Sequence, residues 1–271
     1  MGRSAAAKLA TLSALGYAAF FFGVYRPGRD GTYAQNFQDV WVQSLAAAND
    51  WTAFSAVDAD APFYVDVGAY HPTECSNSAL LDLQMGWRGL CVEPFPVASF
   101  AGVGRNCKVV ERAMSDKADK AVSFCARGAE DSQAKTMASE DRGNGPTGGS
   151  DGDCPEAEKL KTTTINFKEL LLRNSAPTFI NAISLDVEGL ELTALKGFPF
   201  ATHRVGCWII EINQDAPKAA AINKLLSSKG YRRIPVANAG VDEYYVGQHV
   251  TVDEAVLNKA MRVHPRFSNG C

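Results

Sequence analysis

The chain has 271 residues, 46% of them hydrophobic, which is ample for a sizeable core in one large domain with an appendage. Its net charge of −3, with Lys and Arg scattered rather than striped, argues against nucleic acid as a partner. None of the seven cysteines forms a CxxC pair, which excludes a zinc-ribbon site.

The N-terminus stands apart. Arg3 and Lys8 precede an apolar run from Leu9 to Tyr25, and Arg26 and Arg29 follow it. At about 1.5 Å per residue such a run approaches a membrane span. A signal-anchor over residues 1–30 is the expectation, with a cleaved signal or transit peptide or a buried helix as alternatives. Basic residues at both ends leave the orientation open.

Next, YAQNFQDVWVQSLAAA reads as a short amphipathic helix. From residue 62 strands and helices alternate. PFYVDV is a strand, and SNSALLDLQMGW a helix capped by Ser76 or Asn77. RGLCVEP is a strand stopped by Pro94 and Pro96, VASFAGVGRN a short helix, CKVVERAM a strand, and KAVSFCA a short strand. Residues 127–161 are rich in Gly, Ser, Asp and Glu and read as a long surface insertion. TTTINF is strand-like and KELLLRN helical. NAISLDVEG is a buried strand ending in acids, LELTALKGF a helix closed by Gly197, and VGCWIIEIN another buried strand. APKAAAINKLLSSKG is a helix, and YRRIPV and DEYYVG form a closing antiparallel hairpin. The plan predicts an α/β fold with a mainly parallel sheet covered on both faces, in one domain over 34–271.

Among the cysteines, Cys91 and Cys207 lie in apolar strands and read as plain core residues. In an oxidising compartment Cys107, Cys125 and Cys154 could pair, with no connectivity fixed by sequence.

The chemistry gathers at strand ends. Asp66, Glu93, Asp186 with Glu188, and Glu211 each close or follow an apolar strand. Acids beside buried runs are costly unless something pairs with them, and doubly wound sheets bind ligands at this edge. Glu93 follows Asp66 by one βαβ unit, where a carboxylate binds a nucleoside's ribose hydroxyls. The turn DVGAYHP lacks a full GxGxxG, so no diphosphate cradle is evident. A nucleoside without a diphosphate is implied, of which S-adenosyl-L-methionine is the common case.

DVGAYHP, SNSALLDLQMGWRGLCVEPFP, and ISLDVEGLELTALKGF followed by WIIEIN resemble the FkbM-type methyltransferases over about residues 34–250. The QNFQD, GW-RG and CVEP strings also resemble a eukaryotic branch, the membrane-anchored Star-like proteins of secretory trafficking. The resemblance implies a seven-stranded class I methyltransferase fold, S-adenosylmethionine, and O-methylation of a sugar or related small hydroxyl acceptor. It implies a cofactor site built from Asp66, Gly68, Tyr70, Glu93, Pro94 and Asp116. It also implies a location in the secretory pathway, in the endoplasmic reticulum or Golgi, with another organelle or secretion as alternatives. The turn departs from the family pattern in carrying Tyr70 and His71 where a second glycine is usual. A catalytically silent member acting in trafficking is the alternative function.

For methyl transfer, Asp186 is the expected general base, with Glu188 and Glu211 orienting the acceptor and His71 as the alternative base. No metal is the primary expectation. The alternative is that Asp186, Glu211 and Asn213 hold Mg²⁺ or Ca²⁺.

Overall fold

The computed structural model describes residues 32–51, 61–125, 159–236, 239–255 and 257. The expected signal-anchor over 1–30 and residues 127–158 of the expected insertion lie outside them. Among the described residues no helix is long and apolar enough to cross a membrane.

The elements are α1 (Gln38–Ala48), β1 (Phe63–Val67), α2 (Ala79–Leu83), β2 (Arg88–Val92), β3 (Lys108–Val110), β4 (Ala113–Met114), β5 (Ala121–Cys125) and β6 (Lys159–Ile165). Then follow α3 (Phe167–Arg173), β7 (Phe179–Leu185), α4 (Glu191–Lys196), β8 (Arg204–Glu211), α5 (Ala216–Ser228), β9 (Tyr231–Ile234) and β10 (Asp242–Gly247). The main sheet has seven strands in the order β3-β2-β1-β7-β8-β10-β9. Its first five strands run parallel, while β10 is antiparallel to both β8 and β9. This is the class I methyltransferase plan, with the closing hairpin at one edge.

Two strand expectations need correction. CKVVERAM is not one strand. It breaks at Glu111 and Arg112, so that β3 pairs with β2 in the main sheet while β4 pairs with β6 in a second sheet, β4-β6-β5. The insertion also ends earlier than expected. Lys159–Lys161 already belong to β6, paired antiparallel with β5. VASFAGVGRN contributes one turn of 3₁₀ helix, Ala101–Val103, rather than an α-helix.

Alternation along the strands assigns the two faces of the main sheet. One buries Val65, Val67, Ile183, Leu185, Trp208 and Ile210 against α3, α4 and α5. The other carries Tyr64, Cys91, Ala182, Cys207, Ile209 and Tyr244. Helix α1 covers that second face, with Trp41 and Tyr244 rings 4.8 Å apart. It is less amphipathic than its sequence suggests, because Gln38, Asp39, Val40, Trp41, Val42, Ser44 and Leu45 are all buried.

Local signals explain the helix ends. Asn166 accepts from the Glu169 amide at 2.9 Å to start α3, and Asp215 accepts from the Lys218 amide at 2.9 Å to start α5. At α2 the N-cap is Ser78 rather than Ser76 or Asn77, and its side chain makes no cap bond; the Ser76 hydroxyl, two residues earlier, accepts from the Ala79 amide at 3.1 Å. Asn77 instead turns to the sheet and donates to Ser184 Oγ at 2.9 Å.

The cysteines fall partly as expected. Cys207 is buried and free. Cys91 is not a plain core thiol: it is bonded to Cys107, with Cα atoms 5.8 Å apart. Cys75 is disulfide-bonded as well.

Candidate active site

Strand register brings the acids together. Val67 pairs with Val92 on one side and Leu185 on the other, and Leu185 pairs with Ile210. The next residue of each strand therefore forms a row across the carboxyl edge: Glu93, Gly68, Asp186, Glu211. Asp242 of β10 pairs with Glu211 and extends it. Asp66 and Ser184 lie one pleat back on the same face, opposite each other. Asp66, Glu93, Asp186 and Glu211 thus share one face and one edge of the sheet.

Gly68 is what allows the row to close. Its φ is +83°, and a Cβ there would come within 1.8 Å of the Asp186 carbonyl oxygen. Only glycine fits both the conformation and the space. The chain then turns, with Gly68 and Ala69 amides donating to the Val92 carbonyl at 2.9 and 3.2 Å.

Glu93 is held from both sides. Oε2 accepts from the Tyr70 amide at 2.9 Å, and Oε1 from the Phe95 amide at 3.0 Å across the Pro94 corner. Burial raises its pKa, with the amides opposing. Each oxygen keeps acceptor capacity beyond these bonds, which suits a ribose diol. Asp66 is buried, accepts from the Ser78 hydroxyl, and has its pKa raised by that burial. Tyr70 enters the turn at φ 46°. His71 Nδ1 accepts from the Thr73 and Glu74 amides at 3.2 and 2.8 Å, which places its proton on Nε2. The imidazole thus braces the turn, and the nitrogen that would act as a base is engaged.

Asp186 and Glu211 form a hydrogen-bonded acid pair. Burial comes first in raising the Asp186 pKa well above the carboxylate range, and the Glu211 charge comes next. Burial pushes Glu211 up to about 7. Burial holds a proton on this pair, which titrates as a unit. Asp186, the expected base, thus acts together with Glu211 rather than alone. Glu211 Oε2 is buried and has no hydrogen-bond partner.

Asp186 does not cap the following helix. No side chain caps it: Glu191, missed in the sequence, folds back from the first turn, and its Oε1 accepts from the Val187 and Gly189 amides of the preceding loop at 3.1 and 2.9 Å. Its Oε2 meets Lys218 Nζ at 2.7 Å. A carboxylate in the first turn of α4 is the signal that could have found it. Glu188 sits in the same loop at φ 52°, exposed.

Carboxylate oxygens of Asp186, Glu191 and Glu211 lie within 4.8 Å of one another. Lys218 already neutralises Glu191, so this trio is a poor divalent-metal set. Asn213, the third expected metal ligand, is exposed at φ 53°.

Asp116 does not join the group. It is exposed, its carboxylate accepts from Ser115 Oγ at 3.2 Å, and its backbone lies against Gly197, at the end of α4 opposite Glu191.

Fold and site together define a class I methyltransferase. The Methyltransferase FkbM domain model matches residues 66–233, from the first acid of the site to the first strand of the closing hairpin. The chain belongs to the FkbM methyltransferase family. Among solved structures it is similar to the human methyltransferase 10 domain containing protein, at 9% identity over 78% of this chain and 83% of that one, with a TM-score of 0.37. It is also similar to a chain described as "delta-N METTL16 MTase domain", at 10% identity over 78% and 83% of the two chains, with a TM-score of 0.37. No curated protein matches the sequence significantly.

Proposed function

We propose that the chain is an S-adenosylmethionine-dependent O-methyltransferase acting on a hydroxyl of a sugar or related small molecule. The observation that carries this reading is the row Glu93, Gly68, Asp186, Glu211, with one buried carboxylate oxygen of Glu211 left unpartnered. When bound, S-adenosylmethionine supplies an activated methyl group. The chain's own residues supply the rest. Glu93 binds the ribose hydroxyls, and the Gly68 turn lets the backbone approach. Glu211 Oε2 accepts the proton of the acceptor hydroxyl, while Asp186 holds Glu211 in place through the shared proton.

A cavity of about 360 Å³ opens beside Asp242, lined by Arg233, Ile234, Glu243 and Tyr244 among others. It gives room for a small polar acceptor next to the row. The test is a methyl-transfer screen over sugar and lipid hydroxyl acceptors, with Glu211→Gln as the control. Transfer by wild type and not by the variant supports the reading; transfer unaffected by the substitution contradicts it.

A silent member acting in trafficking is the second reading, favoured by Tyr70 and His71 filling the turn. Wild type that binds no S-adenosylhomocysteine would support that reading. The same proposal places the chain in the secretory pathway, anchored through residues 9–25. The Cys91–Cys107 disulfide and the bonded Cys75 suit an oxidising compartment. Protease protection of the full chain in isolated microsomes tests it: digestion without detergent would contradict a lumenal domain.

A further inference from the structure

We propose that Arg105 is the positioning residue of the cofactor turn, and that the Cys91–Cys107 disulfide holds it in place. This rests on the reading of that turn as the cofactor site.

Arg105 lies between β2 and β3, just after the 3₁₀ turn. Its side chain is fully buried, as is that of its ion-pair partner Asp82. A buried guanidinium is costly unless its donors are satisfied, and this one satisfies all of them. Nε donates to Asp82 Oδ2 at 2.7 Å. Nη1 donates to the Pro72 carbonyl and to Ser76 Oγ, the latter at 3.0 Å. Nη2 donates to Tyr64 OH at 3.1 Å and Ser78 Oγ at 2.7 Å.

Three of these five acceptors belong to one stretch, the chain that leaves β1 through Gly68. Pro72 ends the DVGAYHP turn. Ser76 leads into α2. Ser78 passes its own hydrogen bond on to Asp66 Oδ2. One side chain therefore fixes the far end of the turn and the carboxylate beneath it.

A long side chain carried by a loop holds this position only if the loop is anchored. Cys107, two residues on, supplies the anchor through its bond to Cys91. Cys91 pairs in register with Asp66, and its sulfur is 3.5 Å from Arg105 Nη2. Disulfide, guanidinium and Asp66 thus form one unit, and the loop bearing Arg105 cannot withdraw without moving β2.

The test is calorimetric titration of the full chain with S-adenosylhomocysteine. Arg105→Lys keeps the charge opposite Asp82 but cannot span Pro72, Ser76 and Ser78. Its affinity is expected to fall about tenfold or more, and the Cys91→Ala/Cys107→Ala protein is expected to fall likewise. Leu226→Ala, on the buried face of α5, is the stability control: it should lower the melting temperature and bind as wild type. If Arg105→Lys does not fold, Ser78→Ala removes one hydroxyl and reads the same relay. Folded Arg105→Lys or Ser78→Ala with wild-type affinity would overturn the proposal. If wild type itself does not bind, the cofactor reading fails, and amide hydrogen exchange still decides this one. Amides of residues 68–78 should exchange faster in Arg105→Lys while those of β8 do not; equal rates in the turn would refute the positioning role.

Discussion

Asp186 and Glu211 stand at the ends of neighbouring parallel strands and share a proton, one as donor and the other as acceptor. Two carboxylates this close cannot both ionise freely in a half-dry site, so their protons come off as a pair. The pair is therefore a proton acceptor whose availability depends on pH near neutrality.

Turnover should rise as pH passes through about 7, where Glu211 loses its proton. Glu211→Gln should lower turnover by roughly 10²–10⁴ and flatten this limb. Asp186→Asn keeps the donor to Glu211 and should retain more activity than Glu211→Gln. A pH–rate profile of the three proteins on an identified acceptor checks this. The reverse order of the two variants would return the base to Asp186.

Gly68→Ala should be poorly tolerated. The added methyl meets the Asp186 carbonyl, and φ +83° is strained for any side chain. Destabilisation of more than about 1 kcal/mol is expected, with the clash adding to the conformational cost. Urea unfolding measures it, and a loss of a few tenths would mean the turn relaxes freely.

Lys218→Met should destabilise by about 3 kcal/mol, because it leaves the fully buried Glu191 without its cation. The double variant Lys218→Met/Glu191→Gln should recover much of the loss. A coupling near zero in that cycle would show that the pair contributes little.

Asp242 gives a pH signature in stability. Burial pushes its pKa up to about 6, against the hydrogen bond from Gln38 Nε2 at 2.7 Å. The folded state then holds this proton more tightly than the unfolded one. The contribution is greatest with the proton bound, declines as pH rises from the ordinary aspartate value of 3.8 to about 6, and is flat above that. From about pH 4 to about pH 6 wild type should lose melting temperature relative to Asp242→Asn, which cannot titrate. Parallel curves for the two proteins would contradict the assignment.

The strands were legible because apolar runs ending in acids leave little choice of direction. VDVG, LCVE, SLDVEG and IIEIN each stop at the edge where the site forms. The break after Val110 was not legible. CKVVERAM reads as one extended run, and only the pairing with β6, some 50 residues on in sequence, sends Ala113 and Met114 to the second sheet. Arg105, Gln38 and Lys218 were missed for the same kind of reason. Each acts through a partner distant in sequence, such as Tyr64 and Pro72, Asp242, or Glu191. Pairing of Cys91 was hidden because an apolar strand looks the same around a thiol and a half-cystine. The split of roles between Asp186 and Glu211 depends on their adjacency, which follows from strand order rather than from either strand alone.

The central claim is that Glu93 and its turn bind a nucleoside cofactor. Calorimetric titration of wild type and Glu93→Ala with S-adenosylhomocysteine tests it most directly. The account predicts binding to wild type and a loss on the order of 2–4 kcal/mol in the variant, from two charge-assisted hydrogen bonds. A folded Glu93→Ala protein that binds S-adenosylhomocysteine as tightly as wild type would contradict it.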